Sequence, residues 1–352
     1  MDIADLMVQH RFNNNDFLKN VDKLIKWERI NKILVDNDNR SFPEFNSLSL
    51  FKACLLSIWR GLSDRDLEAH IKDSISASFF CGISLGNKVP DHSTISRFRN
   101  HLSKNSIWEC LLNEINGQLE EKNLIIKTTV ITDATLTIQA RKPSRPQGFK
   151  EAEDRHEEER EESDITKEKA HQEWIEKNEP GVDSEATWVK KNGKSNYGYK
   201  NHTLTDEQGL VLAVETTPAN VHDSKATEAL LNKLEINEGT KLMADKGYVG
   251  KRIKDILLKK GMIDRRMRKA FRGRPLSERE KKANKLITKV RYVIERTFGG
   301  QKKWFRSEQA RYQGLLKTHG QHVMTSIAYN LKRLPMLYLK NELKKEAMVN
   351  YV

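Results

Sequence analysis

Three carboxylates stand in three distinct settings: Asp133 in TTVITDATLT, Asp245 in TKLMADKGYVG and Glu295 in KVRYVIERTFGGQKKWF. The first two sit at the ends of short β-rich runs, whereas Glu295 lies in a stretch of helical period surrounded by lysine and arginine. Carboxylates gathered around a pair of divalent ions, within about 4 Å, can activate an attacking oxygen and stabilise a leaving oxygen in phosphodiester cleavage. Magnesium suits such a set, because it prefers hard oxygen ligands and keeps waters for the substrate. Taken singly, each residue has an ordinary structural use. Asp245 before Lys246 and Gly247 could form a turn, Asp133 could cap the next element, and Glu295 could pair with Arg291 four residues earlier. Their joint placement in the order of elements favours metal-dependent phosphoryl transfer.

Cations accompany them. Arg291 precedes Glu295 by four residues and Lys302 follows by seven, so on an uninterrupted helix the three share a face and offer positive charge to a phosphate beside the metal ligand. Gly299 and Gly300 weaken the helix between Glu295 and Lys302. Lys194, Lys200 and His202 alternate along a β-run with Tyr199 and could present one face to a phosphate backbone, and Lys246 directly follows Asp245. Trp304 and Phe305 could stack on an unpaired base or belong to a core.

The elements that must position these residues are readable from period and punctuation. Residues 1–120 form a helical module: FPEFNSLSLFKACLLSIWRGL has helical spacing, and Ser63 with Asp66 resembles a capping signal. A second start in PDHSTISRFRNHLSK places Ser93, Thr94, Ser96, Arg97 and Arg99 near the beginning of a helix. This pair of capped helices is compatible with helix-turn-helix DNA binding and equally with ordinary helical packing. From about 128 the order is strand, hairpin around DEQG, helix, strand, helix, strand, helix, which gives a mixed sheet with helices on its faces, an α/β core. A charged interruption over 141–182 is too long and polar for an ordinary loop. It carries nine acids against two arginines between Glu151 and Asp164 and reads as a mobile insertion or a solvated surface helix.

The formal charge of +13 favours a polyanionic partner. It is concentrated between Arg265 and Arg306, where sixteen Lys or Arg face three acids. Leu286, Val290, Val293, Ile294 and Phe298 recur through this window at helical spacing, so part of it must pack on a core and leave a basic face beside Glu295. Cys54, Cys81 and Cys110 suggest neither a disulfide framework nor a zinc site and are expected as buried apolar fillers. No run approaches the roughly 20 apolar residues of a membrane span, and the start lacks a signal-peptide pattern, so a cytoplasmic protein is expected.

At these residues the sequence resembles the bacterial insertion-sequence transposases of the DDE class, close to the insertion-sequence-five group. The resemblance runs through PDHSTISRFR, ITDATL, DSEATWVKKNGKSNYGYKNH, VETTPANVHDS, ADKGY and RYVIERTFGGQKKW, in that order, and covers most of the chain. It implies an RNase H-like (retroviral-integrase-like) core over 121–335, preceded by a helical DNA-binding domain over 1–120 and followed by a tail over 336–352. It implies Asp133, Asp245 and Glu295 as catalytic metal ligands for two Mg²⁺ ions, with Mn²⁺ as a substitute. Lys194, Lys200, His202, Lys246, Arg291, Lys302, Arg97 and Arg99 are then the expected DNA contacts. The family's tyrosine, arginine, glutamate and lysine motif matches at Arg291, Glu295 and Lys302, while its tyrosine position is Thr288. The implied partner is double-stranded DNA, both element ends and target, bound by a homodimer or higher multimer in the nucleoid, with no membrane. The implied reaction cuts a strand at each element end and uses the exposed 3′-hydroxyl to attack another phosphodiester. The rival readings are a domesticated, inactive DNA-binding protein and a structure-specific nuclease on the same fold.

Overall fold

The computed structural model describes residues 16–37, 45–84, 86–144, 162–191 and 193–349. The amino-terminal part is helical: α1 (Asp16–Leu24), α2 (Trp27–Asp36), α3 (Ser47–Arg60), α4 (Asp64–Asp73), α5 (Ile75–Phe80), α6 (His92–Lys104) and α7 (Ile107–Glu121). Their starts follow local chemistry. Asn46 caps α3 by accepting from Leu48 N–H, Ser63 and Asp66 form a reciprocal capping box on α4, and Asp91 accepts from Thr94 N–H at 2.6 Å to open α6. Between α4 and α6 lie α5 and a loop, so the two helices do not form a tight helix-turn-helix. They are joined instead by Arg99, which donates two 2.8 Å hydrogen bonds to Asp64 and lies over the Tyr312 ring.

The sheet follows: β1 (Thr129–Ile138), then α8 (Glu162–Asn178), β2 (Thr187–Lys191), β3 (Lys194–Thr205) and β4 (Val211–Pro218). After a 3-10 turn at Asp223–Ala226 come α9 (Thr227–Asn232), β5 (Lys241–Met243), a 3-10 turn at Lys246–Tyr248, α10 (Lys251–Lys259) and β6 (Ile263–Asp264). The long helices α11 (Glu278–Phe305) and α12 (Leu315–Val349) complete the fold. The strand order is β2-β3-β1-β5-β6, with β4 also paired to β3. β1 runs antiparallel to β3 and parallel to β5, so this is a mixed sheet. With helices packed on it, the sheet agrees with the RNase H-like core that the resemblance implied.

One hydrophobic core joins the helical part to the sheet, extending from Leu18 and Trp27 through Trp108 and Val130 to Val323 and Leu337. α12 is its central post. Trp59 Nε1 donates to Ala328 O, and Asn330 bonds both Asn116 and the β4 backbone at Val211. The helix continues through Pro335 to Val349, so the expected boundary at 335 falls inside it. Among the described residues no helix is long and apolar enough to cross a membrane.

Two expectations change. The charged interruption is not wholly solvated: residues 145–161 lie outside the described ones, but α8 docks through fully buried Ile175 onto Tyr197 and Tyr199, with Trp174 beside it. An isolated apolar pair in a charged run is enough to anchor a helix when the sheet offers a matching patch. Cys54 and Cys81 are buried, with burial pushing the Cys54 thiol up to about 12, but Cys110 faces solvent on α7.

Arg99 is 5% exposed, so its pairing with Asp64 is testable. Asp64→Ala leaves a buried guanidinium uncompensated and is expected to cost about 3 kcal/mol in urea unfolding; a loss within experimental error of zero would show that the pair does not hold α4 to α6.

Candidate functional site

Asp133 and Asp245 meet because two parallel strands are in register. The β1–β5 pairing ends with Ile131 opposite Met243, and two residues further on each chain comes an aspartate. Ile131 and Met243 pack under α11 against Ile294, Phe298, Val290 and Val293, so Asp133, which shares the Ile131 face of β1, also looks toward that helix. Asp245 caps the following 3-10 turn, accepting from Gly247 N–H at 2.7 Å.

The placement of α11 is set from its other side by the β3–β4 turn. Thr297 donates to Gly209 O at 2.9 Å and Arg296 to Gln208 O at 2.9 Å. Gly209 has φ +82, and a Cβ there would come within 2.8 Å of Thr297 Oγ1, so this close approach requires glycine. α11 is unbroken across Gly299 and Gly300, which puts Arg291, Glu295 and Lys302 on one flank of a single helix.

Arg291 uses that position to answer Asp133. Its Nη2 donates to Asp133 Oδ2 at 2.6 Å, while Asp133 Oδ1 accepts from Ala134 N–H at 2.9 Å. Burial nevertheless wins: it raises the Asp133 pKa above the ordinary carboxylate value, Arg291 opposes this, and the nearby charge of Asp245 adds to it. Tyr248, at the end of the Asp245 turn, is 1% exposed and senses Asp223, Asp133 and Asp245. Burial holds its phenol well above the usual range, so it keeps its proton. Its hydroxyl neighbours that of Thr132, and neither has a well-aligned hydrogen bond.

The donor chemistry of the two aspartates fits a hard divalent cation: two carboxylate groups, one of them largely dehydrated and destabilised by the other. Glu295 is not gathered with them. It is exposed on α11, and among the described residues no three His, Cys, Asp or Glu side chains converge as a metal-binding group.

The cations divide into two sets. Lys246 is exposed on the turn after Asp245, Lys194 is exposed at the start of β3, Arg97 is exposed on α6, and Lys302 is half-buried. Burial lowers the Lys302 pKa and the neighbouring Lys191 lowers it further. Lys191, opposite Lys194 across the β2–β3 hairpin, is not singled out by the sequence, because WVKKNGK gives no sign that its charge is felt by Lys302 on α11. The other expected contacts are turned inward. Lys200 Nζ donates to Val221 O at 2.8 Å and lies 2.9 Å from Asp223 Oδ1. His202 is fully buried against Thr217, and burial depresses its pKa to about 4, so it is neutral near pH 7. Arg99 is committed to Asp64. None of these three side chains is presented to a phosphate backbone in this fold. Trp304 stacks on Tyr329 with ring centroids 5.7 Å apart, and Phe305 is buried, so both serve the packing of α11 on α12.

Residues 128–331 match the family described as Transposase DDE domain, and residues 6–101 match Transposase domain (DUF772). The chain is 36% identical over 237 residues to a transposase for insertion sequence element IS1106 from Neisseria meningitidis serogroup B, covering 67% of this chain and 75% of that protein. No solved structure matches it.

The Asp133 environment predicts a pH effect of known sign. A carboxyl whose folded pKa is raised contributes full stability below its unfolded pKa and loses it as pH rises through the folded value. Asp133→Asn should therefore unfold at a higher temperature than the parent at pH 7.5 without metal, and the difference should shrink toward pH 3; a variant less stable than the parent at pH 7.5 would contradict the burial argument.

Proposed function

Because the chain belongs to the DDE-class transposases of bacterial insertion sequences, we propose that it binds the ends of such an element, cuts DNA there and joins the freed 3′-hydroxyls to target DNA. The observation that carries this reading is the levelling of Asp133 and Asp245 on neighbouring parallel strands beneath a helix that bears Glu295, Arg291 and Lys302. Both steps are in-line phosphoryl transfers, which depend on positioning and on charge stabilisation.

Asp133 and Asp245 would hold divalent metal, with Glu295 supplying a further oxygen from α11. Bound there, Mg²⁺ would activate the attacking oxygen and neutralise the leaving one. Arg291 balances Asp133 in the absence of metal. Freed from that carboxylate, its fork is suited to grip a phosphate by two parallel hydrogen bonds. Lys302, half-buried on α11, also feels the positive charge of Lys191, and a phosphate bound beside it would be favoured by both. Lys246 and Lys194 extend the cationic rim, and Arg97 offers a contact from the helical part.

The first half of α11 adds an arm. From Glu278 to Lys289 its side chains are largely exposed, Arg279, Lys282, Lys285 and Lys289 among them, and exposed Arg272 lies in the segment that precedes the helix. Phosphate contacts along this arm would orient the duplex without reading bases. A homodimer or higher multimer would bring two element ends together.

The test is cleavage and strand joining with Mg²⁺ on DNA carrying the element's own ends, comparing the parent with Asp133→Asn, Asp245→Asn and Glu295→Gln. All three variants should lose both activities by about 100–1000-fold, on the scale of removing a major electrostatic contributor, while still binding DNA. Activity that survives one substitution removes that carboxylate from the set, and binding without cleavage by the parent favours a domesticated DNA-binding protein. For the arm, Lys282→Ala with Lys285→Ala should reduce the slope of log K against log salt by about 2; an unchanged slope would take these lysines off the DNA.

A further inference from the structure

Arg266 lies in the basic stretch MIDRRMRK, yet it is only 5% exposed and every one of its guanidinium nitrogens is engaged inside the protein. Its Nε donates to Asp264 Oδ1 at 3.0 Å and its Nη2 to Asp264 Oδ2 at 2.7 Å, a two-pronged grip on a carboxylate of β6. Its Nη1 donates to Tyr248 O at 2.5 Å and reaches Gly250 O at 3.5 Å. The guanidinium thus ties β6 to the backbone of the turn that begins with Asp245.

The same segment is bonded along β5 up to the residue before that aspartate. Arg265 N–H donates to Leu242 O at 2.9 Å and Met267 N–H to Ala244 O at 3.0 Å. β5 itself is only three residues long, so its own ladder stops short of Asp245. Beyond it the turn is held by its own backbone bonds, Tyr248 N–H to Asp245 O at 3.3 Å and Val249 N–H to Lys246 O at 3.4 Å, by the Asp245 cap on Gly247, by the buried Tyr248 ring and by the Arg266 bridge.

We propose that Arg266 is a positioning residue of the site: by bridging Asp264 to Tyr248 O it keeps Asp245 level with Asp133, and so sets divalent-cation affinity without touching metal or DNA. This rests on the reading of the two aspartates as metal ligands. A lysine cannot replace it, because one ammonium cannot hold both carboxylate oxygens and reach the Tyr248 carbonyl in a fixed plane. Outer groups that orient ligands typically change metal affinity by about 10–100-fold when removed.

The experiment measures Mn²⁺ binding by isothermal titration calorimetry without DNA, alongside amide hydrogen exchange at Gly247 and Tyr248. It compares the parent, Arg266→Lys, Asp264→Asn, the exposed neighbour Arg265→Lys and Asp133→Asn. The parent should bind Mn²⁺ and Asp133→Asn should not. Arg266→Lys should weaken binding by about 10–100-fold and speed exchange at Gly247, with its helical circular dichroism intact, while Arg265→Lys matches the parent. Asp264→Asn should shift both readouts in the same direction. Parental affinity and exchange in Arg266→Lys overturn the inference. Should Arg266→Lys fail to fold, parental values in a folded Asp264→Asn overturn it equally. A parent that binds no Mn²⁺ defeats the metal reading itself; the positioning role then stands or falls on whether Gly247 exchange is faster in the variants.

Discussion

Two carboxylates set level on neighbouring strands and partly shielded from solvent repel one another and lose part of the water that would stabilise them. Asp133 carries most of that cost, since it is largely shielded from solvent and lies in the field of Asp245. Positive charge has to answer it, and in the free chain the answer is Arg291, delivered from α11. Much of the surrounding architecture can be understood as the means of holding this arrangement: a parallel β1–β5 pairing that levels the aspartates, and a helix packed across both strands through Ile294 and Phe298.

The helix cannot drift, because its contacts lie on two sides. The β3–β4 turn grips it through Gln208 and Gly209, and α12 supports it through Tyr329 against Trp304. α12 in turn is bonded into the sheet and the helical part. His322 bridges Thr137 on β1 and Thr216 on β4, while His319 joins Thr216 to Glu109 on α7. Burial pushes His322 down to about 3, so it stays neutral and its two nitrogens can serve one as donor and one as acceptor. The helical part is consequently continuous with the core that carries the candidate site, and a change in α7 or α12 has a short path to β1.

Arg291 also gives the free chain a defined state. With its guanidinium on Asp133 and Glu295 facing solvent, the three carboxylates are not gathered. In the proposed reaction the same arginine has two competing anions, Asp133 and a DNA phosphate, and divalent metal would compete with it for Asp133. On that proposal, charge neutralisation of one aspartate and recognition of the substrate would be linked through a single side chain.

Much of this was legible in the sequence. Alternating β-branched residues marked β1, DEQG marked the β3–β4 turn, the capping pairs at Ser63 and Asp91 marked α4 and α6, and a 3.6-residue apolar period marked α11. Those features are local, written in spacing and in backbone chemistry that neighbouring residues satisfy. The short β2 strand and the docking of α8 were not legible, because each depends on a patch formed by distant residues such as Tyr197 and Tyr199. The fate of the cations was decided only in three dimensions. Arg99, Arg266 and Lys200 read as surface charge in the chain, yet each is taken up by a carboxylate: Asp64 and Asp223 from distant positions, Asp264 from two residues away. His202 is emptied of charge chiefly by burial, with the nearby charge of Lys200 acting in the same direction. A sequence determines which residues can be charged and how they are spaced along a helix or strand; whether a charge meets water, a buried partner or a ligand depends on which surfaces the fold brings together, and electrostatic energy is governed by that distance and dehydration.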